Sequence, residues 1–149
     1  MPVEWVQTLL NKPDQAINTS ESRVPFWAEL LDKWPFFMRV VQPYLTEDWA
    51  SLLTVAEEWA KQEPNNAEAW FYLAAAEYNT KNNLSAESHL IRVMSLNAKH
   101  SLAMYYLGLI AEDSGKHMEA LTKITQLNEL DESVADQLKL AMGIAPEQQ

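Results

Sequence analysis

The sequence predicts an all-α fold, and three observations carry that prediction. Only three glycines, Gly108, Gly115 and Gly143, occur in 149 residues, too few for a turn-rich β architecture. Apolar residues recur at spacings of three and four, and nowhere alternate with period two over a useful length. From Thr46 onward, apolar segments of helical length are separated by proline, asparagine and glycine signals.

The first third is punctuated by Pro13, Pro25, Pro35 and Pro43. Residues 11–23, NKPDQAINTSESR, are polar and unpatterned and read as a loop. VPFWAELLDKW starts a helix at Pro25, a residue suited to the first turn. PFFMRVVQPYL starts another at Pro35 and is expected to end near Pro43. Thr46 is the expected N-cap of a third helix, with Glu47 and Asp48 at its positive end. Trp49, Leu52, Leu53, Ala56 and Ala60 then follow at helical spacing until Pro64.

Asn66 caps the helix AEAWFYLAAAEY, in which Trp70, Phe71 and Tyr72 stand side by side. Three consecutive positions point in directions about 100° apart, so the three rings need three environments. Trp70 is the expected core ring, Tyr72 the seam ring and Phe71 the ring left for a partner. Residues 79–83 are a turn, and Leu84, Ala86, Leu90, Val93 and Leu96 mark the following helix. Another runs from about Ser101 to Ser114, where Gly115 gives a C-terminal stop. Ala120, Leu121, Ile124 and Leu127 mark the next, and a last helix spans about Ser133 to Met142.

Composition excludes several function classes. The formal net charge is −10, unsuited to a phosphate backbone that demands neutralising Lys and Arg. The excess is uneven: residues 1–46 carry five acids and four bases, and residues 47–149 carry sixteen and seven. A basic or amphipathic partner is steered to the second part. No apolar run approaches the roughly 20 residues of a membrane span, and MPVEWVQTLL lacks the basic start of a signal peptide. A cytoplasmic location is the expectation. Cysteine is absent, which removes disulfides and thiolate metal sites.

Shifting the sequence by 34 residues places Ala69 on Ala103, Tyr72 on Tyr106, Leu73 on Leu107 and Ala74 on Gly108. It also places Ala86 on Ala120, Leu90 on Ile124, Val93 on Leu127 and Leu96 on Leu130. A 34-residue helix pair is the period of the tetratricopeptide repeat. AWFYLAAAEY…SAESHLIRVMSLNAKH and MYYLGLIAEDSGKHMEALTKITQL resemble that family's motif. Glu77, Ala98, Ala111 and Glu132 depart from it without shifting the register.

The resemblance implies antiparallel helix pairs stacked as a short right-handed superhelix, an α-solenoid. It covers residues 46–143, as about two full repeats, a preceding half-repeat and a C-terminal capping helix. Residues 1–45 form a separate aromatic-rich helical region, and 144–149 a disordered tail. Small residues are expected where helices of one pair approach, Ala74 on Ala86 and Gly108 on Ala120.

By position, the resemblance assigns the groove to Glu68, Phe71, Ala75, Tyr78 and Asn79 in one repeat. In the next it assigns Leu102, Tyr105, Leu109, Glu112 and Asp113. Aromatic and apolar residues form the floor and carboxylates the rim, suited to an apolar or amphipathic segment with basic flanks. A family subgroup grips a carboxylate tail with Lys, Asn and Arg. Here those positions hold Phe71, Ala75, Tyr105 and Leu109, which argues against that mode. The opposing reading of the same stripe is self-packing, with the chain's own helices filling the groove.

Phe26, Trp27, Trp34, Phe36 and Phe37 are the expected capping or oligomer-forming cluster, the latter as a homodimer. A catalytic constellation is not found. His89, His100 and His117 share no metal-ligand spacing, Glu112, Asp113 and His117 straddle a turn, and no cofactor motif occurs. The expected function is therefore protein or peptide binding, as adaptor, assembly factor or chaperone. The alternative is a structural subunit with a permanent aromatic interface.

Overall fold

The computed structural model describes residues 33–145. The chain divides into two units, 1–33 and 34–149, and every described helix belongs to the second. The expected helix at Pro25 and the cluster members Phe26 and Trp27 lie outside the described residues, as do residues 146–149 of the expected tail.

Among the described residues eight helical segments follow one another: α1 Phe36–Arg39, α2 Val41–Leu45, α3 Trp49–Gln62, α4 Ala67–Asn79, α5 Asn83–Leu96, α6 Ser101–Asp113, α7 His117–Leu130 and α8 Glu132–Ala141. Each packs on its neighbours in the chain. In addition α1 packs on α3, α4 on α6 and α6 on α8, so α4, α6 and α8, which open the later pairs, form one layer. No strand occurs among the described residues.

The backbone carries the repeat more plainly than the side chains do. Glu47, Lys81 and Gly115 have φ of 56°, 68° and 76°, each 34 residues after the last. At each, one N–H reaches back three residues and the next reaches back five. Gly115 bonds the Glu112 carbonyl at 2.9 Å and Lys116 that of Ala111 at 2.8 Å. Lys81 bonds Tyr78 at 3.0 Å and Asn82 bonds Glu77 at 2.8 Å. Glu47 bonds Tyr44 at 3.3 Å and Asp48 bonds Pro43 at 2.9 Å. This left-handed turn satisfies the last carbonyls of a helix and reverses the chain. Its first occurrence shows that α1 and α2 are the first half of a repeat whose second half is α3. The pairing therefore begins at Phe36 rather than at Thr46.

Pro43 does not end its helix. α2 runs through it to Leu45, and the interruption falls at Val40, ahead of the proline, where its ring and missing N–H disturb the preceding turn. The expected cap at Thr46 is displaced too. The Thr46 hydroxyl donates to the Gln42 carbonyl at 2.9 Å, and Asp48 caps α3 by accepting from the Ser51 N–H at 3.3 Å. Asn66 caps α4 as expected, accepting from the Glu68 N–H.

Three clusters form the core. Val40, Leu52, Ala56, Trp59, Ala60, Ala69, Leu73 and Ala76 bind the first pair to α4. The middle cluster, centred on Phe71, Ala86, Leu90, Val93 and Tyr106, joins α4, α5 and α6. Ile124, Leu127, Val134, Ala135 and Leu138 seat α8. At Gly108 the nearest obstacle is Leu138: a Cβ there would stand 2.5 Å from Leu138 Cδ2. Leu84, expected on the core face of α5, is 84% exposed.

Candidate functional site

The face that the sequence assigned to binding is the layer of α4 and α6. Phe71 is buried at 2% exposure and Ala75 is fully buried. The expectation of an open floor at these two residues is overturned by the chain's own aromatic rings. Tyr44 stands 6.5 Å from Phe71, His100 4.7 Å and Tyr106 5.8 Å, centroid to centroid. Tyr44 comes from the pair before Phe71, and His100 and Tyr106 from the pair after it.

Trp70 exchanges places with Phe71. It is half-buried, and its Nε1–H donates to the Pro64 carbonyl at 2.8 Å. Arg92 lies over the ring at 4.5 Å and His89 stands 5.2 Å away. Tyr72 takes the expected seam, between Trp59, Tyr44 and Phe71, and burial pushes its hydroxyl up.

What stays accessible is a narrower row. Tyr78, Tyr105 and Leu109 are half-buried, and Leu102 is exposed. Tyr78 packs edge-on to Tyr106 at 5.5 Å, and its hydroxyl donates to Asp113 Oδ2 at 2.9 Å. Burial, then that bond, pushes the Tyr78 hydroxyl well up. Tyr105 packs edge-on to Tyr106, also at 5.5 Å. Burial raises the Tyr106 hydroxyl strongly, and the neighbouring Tyr44 acts in the same direction. The Asn79 Nδ2–H donates to the Ala75 carbonyl at 2.8 Å. Two tyrosines thus pack edge-on to a third, with Asp113 holding one of them in place.

The carboxylates are less free than a bare rim. Glu112 Oε2 lies 2.8 Å from His117 Nδ1. Asp113 serves Tyr78, so these three residues do not converge as metal ligands, and no group of three such side chains does so among the described residues. Glu68 Oε1 lies 3.0 Å from His100 Nε2, while the Ala103 N–H donates to His100 Nδ1 at 3.1 Å. Since Nδ1 accepts a backbone N–H, the ring proton sits on Nε2 and is given to Glu68. That bond holds the Glu68 carboxyl below its usual range.

His100 is therefore both N-cap of α6 and a bridge to α4. Sequence reasoning set it aside for want of a metal partner. The signal was its place immediately before a helix, where an imidazole nitrogen can do what Ser or Asp usually does.

The helix pairing, the recurrent left-handed turn and the layer of first helices together decide the fold. It is the tetratricopeptide-repeat fold. The structure resembles the solved Arabidopsis OM64 TPR domain with a TM-score of 0.66, over 77% of this chain and 95% of that domain, at 18% identity. No family model matches the sequence, and no curated protein matches it. No helix among the described residues is long and apolar enough to cross a membrane.

Proposed function

We propose that this chain is a binding protein without catalytic activity that holds an amphipathic segment of another protein on the α4–α6 face, as an adaptor, assembly factor or chaperone. The observation that carries this reading is the accessible row Tyr78, Leu102, Tyr105 and Leu109, bordered by Glu68, Glu112 and Asp113. Aromatic side chains offer large rigid contact area. These are already positioned by Tyr106 and Asp113, so little ordering is left for binding. A helix with an apolar stripe and Lys or Arg at its flanks fits such a surface.

The test is a panel of labelled amphipathic helical peptides with basic, neutral or acidic flanks, followed by fluorescence anisotropy. Basic-flanked peptides bind, added salt weakens them, and Tyr105→Ala with Leu102→Ser removes binding while the circular dichroism melt is kept. Equal binding of all three flank types, or binding untouched by the double substitution, refutes the assignment.

A second reading rests on a different observation. Trp34 and Phe37, from the aromatic cluster near the first pair, are exposed, as a subunit interface requires. Phe36 is occupied, stacked on Trp59 at 6.0 Å.

A further inference from the structure

We infer that two copies of this chain associate through an uncharged stripe on α1 and α2. Trp34 is 46% exposed, Phe37 58%, Met38 47%, Val41 45% and Leu45 73%. The spacing of Phe37, Met38, Val41 and Leu45, with steps of three and four, puts these four on one side of the α1–α2 segment, and Trp34 lies just ahead of it. Val40, fully buried, and half-buried Phe36 face the core. None of these residues belongs to the accessible row of α4 and α6, and the inference does not depend on that row binding a peptide.

Charge selects the occupant. Between Trp34 and Thr46 the one ionisable cation or carboxylate is Arg39. Its guanidinium lies over Phe36 at 4.9 Å and reaches Glu58 at 3.5 Å, so it is turned toward α3. The stripe itself presents no charge. Residues 47–149 carry a net −9, so two copies repel over most of their surface and can meet only where the acids are absent. A basic partner finds no carboxylate on the stripe to meet; its complement is the acidic border of α4 and α6. A second copy brings an equally uncharged, equally apolar stripe. Crossing two stripes about a two-fold axis sets the same residues against one another, the self-complementary arrangement of a symmetric dimer. Aromatic and methionine side chains, here Trp34, Phe37 and Met38, are enriched in such interface centres.

Salt separates this contact from peptide binding. Raising salt from about 50 to 500 mM screens the repulsion between two acidic chains and strengthens self-association, whereas it weakens capture of a basic peptide. Sedimentation velocity of the full chain over a concentration series, at both salt levels, is the measurement. The wild type is expected to dimerise, more tightly at high salt. Val41→Glu with Leu45→Glu should weaken the dimer by at least about tenfold. Leu84→Glu with Met118→Glu, on exposed positions of α5 and α7, should leave it unchanged. If the charged pair at 41 and 45 fails to fold, Leu45→Ser at the most exposed position gives the same reading. A wild type that stays monomeric overturns the inference, as does a dimer indifferent to positions 41 and 45 or lost through 84 and 118. A monomer whose melting temperature falls with Leu45→Ser overturns it too, because the stripe is then covered within the chain.

Discussion

Gly108→Ala sets two opposed effects against each other at one atom. Gly108 lies within α6, and alanine there gains about 1 kcal/mol of helix propensity over glycine. The added Cβ meets Leu138 Cδ2 at 2.5 Å and Cδ1 at 3.1 Å. Leu138 is fully buried among Ile124, Leu127, Val134 and Ala135, so its methyls have no empty volume to enter. Overpacking of this kind costs about 1–3 kcal/mol, and the net expectation is destabilisation of up to about 2 kcal/mol. Leu138→Val removes the obstructing reach. Adding it to Gly108→Ala should therefore cost less than the sum of the two single changes, by at least about 0.5 kcal/mol in a double-mutant cycle. Urea unfolding of the four proteins followed by far-ultraviolet circular dichroism supplies the numbers. If Gly108→Ala alone stabilises by about 1 kcal/mol, propensity is unopposed, α8 is not seated on α6, and the account of the last cluster fails.

Three further substitutions probe individual devices. Glu77, buried at 7% exposure where the repeat motif favours an aromatic, has its carboxyl pushed up by desolvation against the pull of His89 at 2.7 Å. A raised folded-state pKa means that stability falls as pH rises from about 4.5 through the folded value. Glu77→Gln, which keeps an acceptor for His89, should match or exceed the wild type at pH 7 and lose that acid-side advantage in a pH series of melts. His100→Ala removes both the α6 cap and the bridge to Glu68, and should cost about 1–2 kcal/mol. His100→Asn, which still caps, should recover part of this in chemical denaturation; equal losses from both would place the contribution in the Glu68 bridge and the ring contact with Phe71 rather than in the cap. Lys81→Gly relieves a left-handed residue and should stabilise by about 0.5–1 kcal/mol, and a loss of stability instead would contradict the turn geometry at φ 68°.

The sequence shows the helices of residues 66–143 and their 34-residue register because repeated packing demands repeated side chains. Ala86 and Ala120, or Leu90 and Ile124, face similar surroundings and so look alike. The second helix of the first pair reads as a half-repeat, but its first half is hidden because the turn is closed by Glu47 where a later one uses Gly115, and backbone shape leaves little trace when a non-glycine residue accepts it. The trace that exists is Tyr44 and Thr46 falling on Tyr78 and Thr80. The Thr46 and Thr80 hydroxyls both donate four residues back, to Gln42 and Ala76. The site was less legible than the fold. Positional transfer assigned Phe71 and Ala75 to a groove, but whether such a position is open depends on what the neighbouring pair lends to it. Here Tyr44, His100 and Tyr106 are large enough to close it, and nothing local to Phe71 reveals that. Glu68, Tyr78 and Asp113 were chosen as separate ligand contacts. The structure spends them on bonds to His100 and to each other, which fixes the row rather than leaving it free.

The same lending of rings explains why the two ends of the described unit differ. In a stack where each layer covers the next, an end layer keeps its row uncovered unless a final element closes it. At the far end α8 does so, filling the space over Gly108 with Leu138 while turning Glu132, Ser133 and Gln137 outward. At the near end, the positions one repeat before Phe71, Ala75 and Asn79 are Phe37, Val41 and Leu45, and these remain exposed. Phe71 and Ala75 show how such positions behave once rings from an adjoining layer reach them: they become core. The exposure of Phe37 and Val41 accords with their position at the end of the described stack. It is relieved by any layer that supplies rings without supplying charge.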